Sequence, residues 1–439
     1  MAYIKKIYTT YKDCSSQRVL ELPAILTEKG ILVSHLRYLA WFSHKSESWK
    51  ERSCFSLILL LRYINACKDI TSTTEMLKSF TQSLITGTID MATMKDSLEL
   101  YWRPRKINDA NVILYHITNY TDFLAEQDDY DANRLNPYRK ATSYEERLNW
   151  CSYYHKQANV FLNHLSNRID ASEKNKLVRV IGNHLEDKVD YEYATRFPED
   201  QIERLLYLGF EKNGVIDYKS QAITILMNYG GLRKSEIFHI YTSDITLHPV
   251  NKNEALVRVY HPEIGSAPVE GYKNRREYLL VNSKYKPRNN YLISERLYAG
   301  WKTPLLSSKK GYFEVLFNPP SKAAEFLLVW ANYLKYQRVE PPKNNPHPFA
   351  FTNSSGAPET IKNFQRLHRN AIEKIGLICT KELGTTEHGH RHAYGFRLRE
   401  AGLSQVEIQK AMHHKSPLSC LVYIKPTLDE VRDELRRLQ

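Results

Sequence analysis

T-E-H-G-H-R-H-A-Y-G (386–395) and M-H-H-K-S-P-L-S-C-L-V-Y (412–423) are the stretches that decide how this chain reads. His388 stands three residues before Arg391, and on a helix residues three apart share a face. A further histidine, His414, precedes Tyr423 by nine residues. A phenol with a pKa of roughly 10 attacks poorly at neutral pH. Neighbouring Arg and His⁺ favour the phenolate and stabilise charge developing on phosphoryl oxygens. The chain carries 62 Lys+Arg against 49 Asp+Glu, a formal net charge of +13. That balance suits a polyanionic partner. A tyrosine behind such a cluster, in such a chain, points to a nucleophile aimed at phosphate.

The order H-x-x-R-H, then His, then Tyr nine residues on, resembles the C-terminal box of the tyrosine recombinases (the phage-integrase family). That family places another Arg upstream, in a turn reading G-L-R-x-S-E. Gly230-Gly231-Leu232-Arg233-Lys234-Ser235-Glu236 matches it and arrives in the right order. The resemblance implies that Tyr423 attacks a DNA phosphodiester and displaces a 5′-hydroxyl, leaving a 3′-phosphotyrosyl enzyme. The broken bond's energy is kept in that link, so no ATP is needed. It implies that Arg233 and Arg391 hold the non-bridging oxygens, a task suited to forked guanidinium donors. His414 adds a donor, and His388 manages the nucleophile's proton. Glu236 matches the acid that positions these groups. The family's lysine lies on a β-hairpin, and Lys273 is the best match, with Lys284 and Lys286 as the other candidates. The residue before the last His is usually Gly in this family; here it is His413. Tyr394 is a second phenol near the cluster, though the spacing favours Tyr423.

The resemblance further implies no cofactor, no metal, double-stranded DNA as partner, and a homo-tetramer assembled on synapsed sites from a protein that is monomeric in solution. Three alternatives stay open. A type IB topoisomerase shares the Arg/Lys/His/Tyr set, a catalytically silent DNA-binding protein shares the fold, and a metal-dependent nuclease would use the histidines as ligands. Against the last, Arg391 stands inside H-x-H-x-H where a metal site wants Asp.

At 439 residues, with 42% hydrophobic and 12% aromatic residues, the chain is a folded protein of two or three domains. The six cysteines are scattered without C-x-x-C, which suits a reducing compartment. The run F-S-L-I-L-L-L (55–61) is far shorter than the roughly 20 residues that span a bilayer, and the start M-A-Y-I-K-K-I-Y has no signal-peptide core. A cytoplasmic, nucleoid-associated protein is expected.

The expected fold is mainly α with a small antiparallel sheet (α+β). Residues 1–33 read as an arm or small module. Residues 34–128 read as a helical bundle, matching the family's core-binding domain by position, with basic W-R-P-R-K before a helix over 110–126. Residues 129–190 read as a polar linker containing a helix near 144–166. Residues 191–439 read as the catalytic domain. Within it, 255–281 reads as a β-hairpin, the region around 283–345 as an insertion packed on the domain, and 428–438 as an amphipathic tail helix opened by Thr427-x-x-Glu430. Ser404-x-x-Glu407 is a capping box, and Ser416-Pro417 opens the short helix carrying Tyr423. Arg103, Arg105, Lys106, Arg275 and Arg276 are the expected DNA-contacting cations.

Overall fold

A computed structural model describes residues 3–12, 17–67, 72–90, 92–127, 134–157, 173–183 and 195–424, with 432 and 436. The tail helix expected at 428–438 lies outside the described residues. The chain divides into two compact units, Met1–Val189 and Asp190–Gln439.

The first unit opens with an antiparallel pair, β1 (Lys5–Lys12) on β2 (Val19–Thr27), with Lys5 opposite Leu26 and Lys12 opposite Val19. The short β3 (Gly30–Ile31) extends it. Four helices follow: α1 (Val33–Trp41), α2 (Glu47–Ala66), α3 (Thr73–Thr86) and α4 (Ile107–Ala125). Leu22, Ala24 and Ile25 of β2 are fully buried in one core with Leu39, Cys54, Leu77, Phe80, Ile113 and Ile117. The N-terminal residues are thus no free arm; their sheet closes the helical core, because β2 is apolar on the side that faces α1 and α2.

The basic stretch before α4 divides by burial. Arg103 and Lys106 are exposed, whereas Arg105 pairs with Asp109 at 3.1 Å and lies over the Phe55 ring. Beyond α4, β4 (Tyr138–Lys140) pairs with β5 (Leu177–Arg179), and α5 (Ser143–Gln157) lies between them in sequence. This part of the expected linker is fastened to α4: Arg179 stacks on Tyr138 and pairs with Asp122, and the Asn136 amide binds the Ile181 backbone in both directions.

The second unit is built round a helix with no solvent face. After the hairpin β6 (Glu211–Lys212) and β7 (Val215–Ile216), α6 (Tyr218–Asn228) is capped by Asp217 and buried at every position from Ser220 to Asn228. The short α7 (Lys234–Ile237) follows. Next come β8 (Ile245–Leu247), β9 (Ala255–Tyr260), α8 (Arg275–Asn282), β10 (Tyr312–Glu314), α9 (Lys322–Asn332), α10 (Ile361–Lys374), α11 (Glu387–Glu400), α12 (Gln405–Ala411) and α13 (Leu421–Ile424). The sheet is antiparallel in the order β10-β9-β8. Ser404 and Glu407 form the expected capping box of α12, and Pro417 opens a 3₁₀ turn that leads into α13.

Two expectations are corrected here. The second strand of the expected hairpin, 277–281, is part of helix α8, and β9 is flanked instead by β8 and β10. Over five residues a strand and a helix pattern are hard to tell apart. Asn274 decides it by capping the helix, its side chain accepting from the Glu277 N–H at 2.9 Å. Nor is 283–345 an appended insertion. Phe313, Phe326, Trp330 and Tyr333 belong to the central core, against Ile225 and Phe351. Among the described residues no helix is long and apolar enough to cross a membrane.

Candidate active site

The site forms where the turn after α6 meets α11, α12 and α13. Gly231 adopts φ +65°, and a Cβ there would run into the Tyr394 ring. Glycine is therefore required twice over, by conformation and by space. Its carbonyl then accepts from the Arg391 guanidinium, which also donates to the Met412 carbonyl at 2.6 Å. Arg391 is buried, held by backbone from two elements.

Arg233 heads α7. Glu236, 1% exposed, accepts from the Arg233 backbone N–H at 2.7 Å and from its guanidinium at 2.6 Å. The same carboxylate lies 3.9 Å from Arg391. Glu236 thus joins the two arginines. Charge-assisted bonds of this kind are about twice as strong as neutral ones, and they fix the position of Arg233 while leaving it half-buried.

On α11, His388 and His392 are one turn apart and their rings meet at 4.4 Å. His392 Nδ1 lies 3.1 Å from the Tyr423 hydroxyl. Tyr423 is buried on α13, its ring parallel to that of His414 at 6.3 Å and edge-on to Phe396 at 5.6 Å. His414 is held at its backbone by Gln409, and its Nδ1 lies 3.1 Å from the Cys420 thiol. His413, where the family has Gly, takes φ +54°. That is the left-handed region, which costs a side-chain-bearing residue about 1–2 kcal/mol. Its ring stacks on Phe313 at 3.9 Å, and its carbonyl accepts from Leu305 N–H at 3.0 Å.

The electrostatics favour neutral imidazoles. Burial, then Arg391 and other cations, lowers His388 to about 4; the cations Lys302, Lys381 and Arg233 all act in this direction. His392 falls to about 4 through burial, His388 and Arg391. His414 falls to about 3 through burial, Arg391 and Arg233. Burial pushes Tyr423 up to about 12, opposed by Arg391. The tyrosine therefore keeps its proton, and each of these imidazoles is neutral, with one N–H donor and one acceptor nitrogen.

The structure brings Arg233, Glu236, His388, Arg391, His414 and Tyr423 together. It sends other candidates elsewhere. Tyr394 donates its hydroxyl to the Leu316 carbonyl at 2.7 Å within the core, so it is not poised to attack. His390 is a core residue, bonded to His368 at 2.8 Å and Asn228 at 3.1 Å and stacked on Phe197. Among the described residues no three His, Cys, Asp or Glu side chains converge as metal ligands. Arg275, expected to touch DNA, is 1% exposed and forked onto Asp244 between the Tyr241 and Tyr260 rings. It is a structural pair, while Arg276 beside it is exposed and 3.6 Å from Glu263. Lys273 precedes α8 instead of a strand, with its N–H bonded to Glu277. The lysines whose charge reaches His388 are Lys302 and Lys381. Sequence reasoning missed the His392–Tyr423 and His414–Cys420 contacts. For His392 the signal was available, since it lies four residues from His388 on the same helical face.

No family model and no curated protein matches this chain. Solved structures do. The chain is similar to the XerH site-specific recombinase bound to a difH substrate (12% identity, 88% of this chain and 78% of that one, TM-score 0.48). It is also similar to the Tn1549 transposon integrase in complex with transposon right end DNA (14% identity, 92% and 98%, TM-score 0.47). A lambda integrase dimer bound to a core site matches at 11% identity, 90% and 95% coverage and a TM-score of 0.46.

Proposed function

We propose that this chain is a site-specific DNA recombinase that cuts and rejoins strands through a covalent link to Tyr423, without metal or ATP. The observation that carries the reading is the pairing of a buried phenol, 3.1 Å from a neutral imidazole, with two arginines held on one carboxylate. A phosphodiester between Arg233 and Arg391 would have its non-bridging oxygens met by guanidinium donors already in place. Such fixed donors need no reorganisation as charge develops. His414 adds a donor to the same oxygens, and His388 stands beside them. We assign the proton for the departing 5′ oxygen to Lys302, which is exposed and, like Lys381, acts on His388; Lys273 lies on the connection between β9 and β10, ahead of α8 and not of a strand. The partner is double-stranded DNA, and two duplexes exchanging strands need four such sites, hence a tetramer on synapsed DNA. The setting is the cytoplasm, at the nucleoid.

The test is a trap. Protein is incubated in EDTA with a randomised pool of nicked duplexes, whose cleaved end diffuses away and blocks resealing. A denaturing gel then compares the wild type with Tyr423→Phe. An adduct in the wild type alone is expected. Absence of any adduct, or one that persists in Tyr423→Phe, overturns the reading.

A further inference from the structure

His388 is the histidine that sequence spacing offers as manager of the tyrosine's proton. The geometry points to another residue. His392 Nδ1 is 3.1 Å from the Tyr423 hydroxyl, within hydrogen-bond distance, while His388 meets His392 ring to ring at 4.4 Å. His392 is half-buried at the foot of Tyr423, and the two rings are 5.7 Å apart. Resting on the recombinase reading above, we propose that His392 is a further catalytic residue, the group that takes the phenolic proton of Tyr423 during cleavage and returns it during resealing.

The step balances as follows. The bond from the Tyr423 oxygen to phosphorus forms and the bond from phosphorus to the 5′ oxygen breaks. The phenolic proton passes to Nδ1 of His392, and the 5′ oxygen takes a proton from the Lys302 ammonium. Resealing reverses both transfers. For Nδ1 to accept, neutral His392 must carry its proton on Nε2. Its depressed basicity is compatible with this role, because part of the depression comes from Arg391 and Lys381. A bound phosphodiester anion offsets those charges and raises the imidazole's affinity for a proton at the moment it is needed. His388, removed from the hydroxyl by one ring, is then left to the phosphate.

The experiment compares single-turnover adduct formation on the nicked-duplex pool by wild type, His392→Gln and His388→Gln across pH. His392→Gln is expected to slow adduct formation about a hundredfold or more, the usual worth of a positioned base. Its residual rate should climb tenfold per pH unit toward the phenol's own ionisation. Wild type and His388→Gln should be flat above the titration of His392. A flat profile in His392→Gln, or a rate near wild type, overturns the proposal while leaving the recombinase reading standing. No adduct in the wild type overturns that reading and this step with it. A measurement independent of folding in the variant is the imidazole ¹⁵N spectrum of Tyr423→Phe. Loss of the hydroxyl should move the His392 Nδ1 signal and leave His388 in place; an unmoved His392 overturns the proposal.

Discussion

The ring of Tyr423 lies over Gly395, so close that a Cβ added there would stand 2.7 Å from the ring's Cε1 carbon. Gly395 is in the interior of α11, where glycine costs about 1 kcal/mol relative to alanine. The helix accepts that cost at the place where the phenol must come close. Gly395→Ala should therefore displace Tyr423 from His392, the overpacking cost of about 1–3 kcal/mol offsetting the helix gain. Adduct formation should fall tenfold to about a hundredfold, the scale of an ångström's misplacement. Unchanged adduct kinetics with the phenol in place would show that the close approach does not set the reaction geometry.

Cys420 is buried and its thiol is pushed above its ordinary pKa by that burial. A protonated thiol that donates to Nδ1 of His414, 3.1 Å away, leaves Nε2–H as the donor edge of the imidazole. Cys420→Ala removes this restraint and should lower the adduct rate several-fold, about the 1 kcal/mol of an ordinary hydrogen bond. Cys420→Ser, which keeps a donor, should recover most of it. Equal rates in the two variants would mean that the thiol does not set the tautomer.

Lys302 and Lys273 can be separated by the leaving group. Lys302→Ala should slow cleavage about a hundredfold or more on ordinary DNA. A substrate with sulfur in the bridging 5′ position, whose thiolate leaves without an acid, should restore the rate. Lys273→Ala should stay near wild type on both substrates. Rescue of Lys273→Ala, or of Lys381→Ala, in place of Lys302→Ala would reassign the acid.

The buried histidines make the second unit acid-labile. Burial lowers His368 to about 4 and His239 to about 3, and it holds His390 well below the usual value. In the unfolded chain each titrates near 6.5. Between those values the unfolded state binds more protons, so stability rises with pH there. It should be complete above about pH 6.5 and decline as pH falls toward 4. Urea midpoints measured across this window should drop steeply, and His368→Gln should flatten the slope. A midpoint insensitive to pH between 6.5 and 4 would mean that these groups are not held neutral.

Sequence alone carried the residues that the structure brings together and their order. Arg233, Glu236, His388, Arg391, His414 and Tyr423 were legible because local rules fix them: a glycine turn before Arg233, a capping box before His414, and a Ser-Pro start before Tyr423. Such signals depend on residues within one helical turn. Which neighbour each group meets was decided by the tertiary structure. Arg275 and Arg276 are adjacent and chemically equal, yet one is buried on Asp244 and the other exposed, because the partner comes from 31 residues away. The span 277–281 reads as a strand by its apolar run, yet it is helical, and β10 takes the place beside β9. His392 is the histidine within 3.1 Å of the Tyr423 hydroxyl, because α13 lays Tyr423 against the next turn of α11. Sequence fixes periodicity and capping, which are short-range, while pairing and burial depend on which distant segments close the core; only the folded chain settles those.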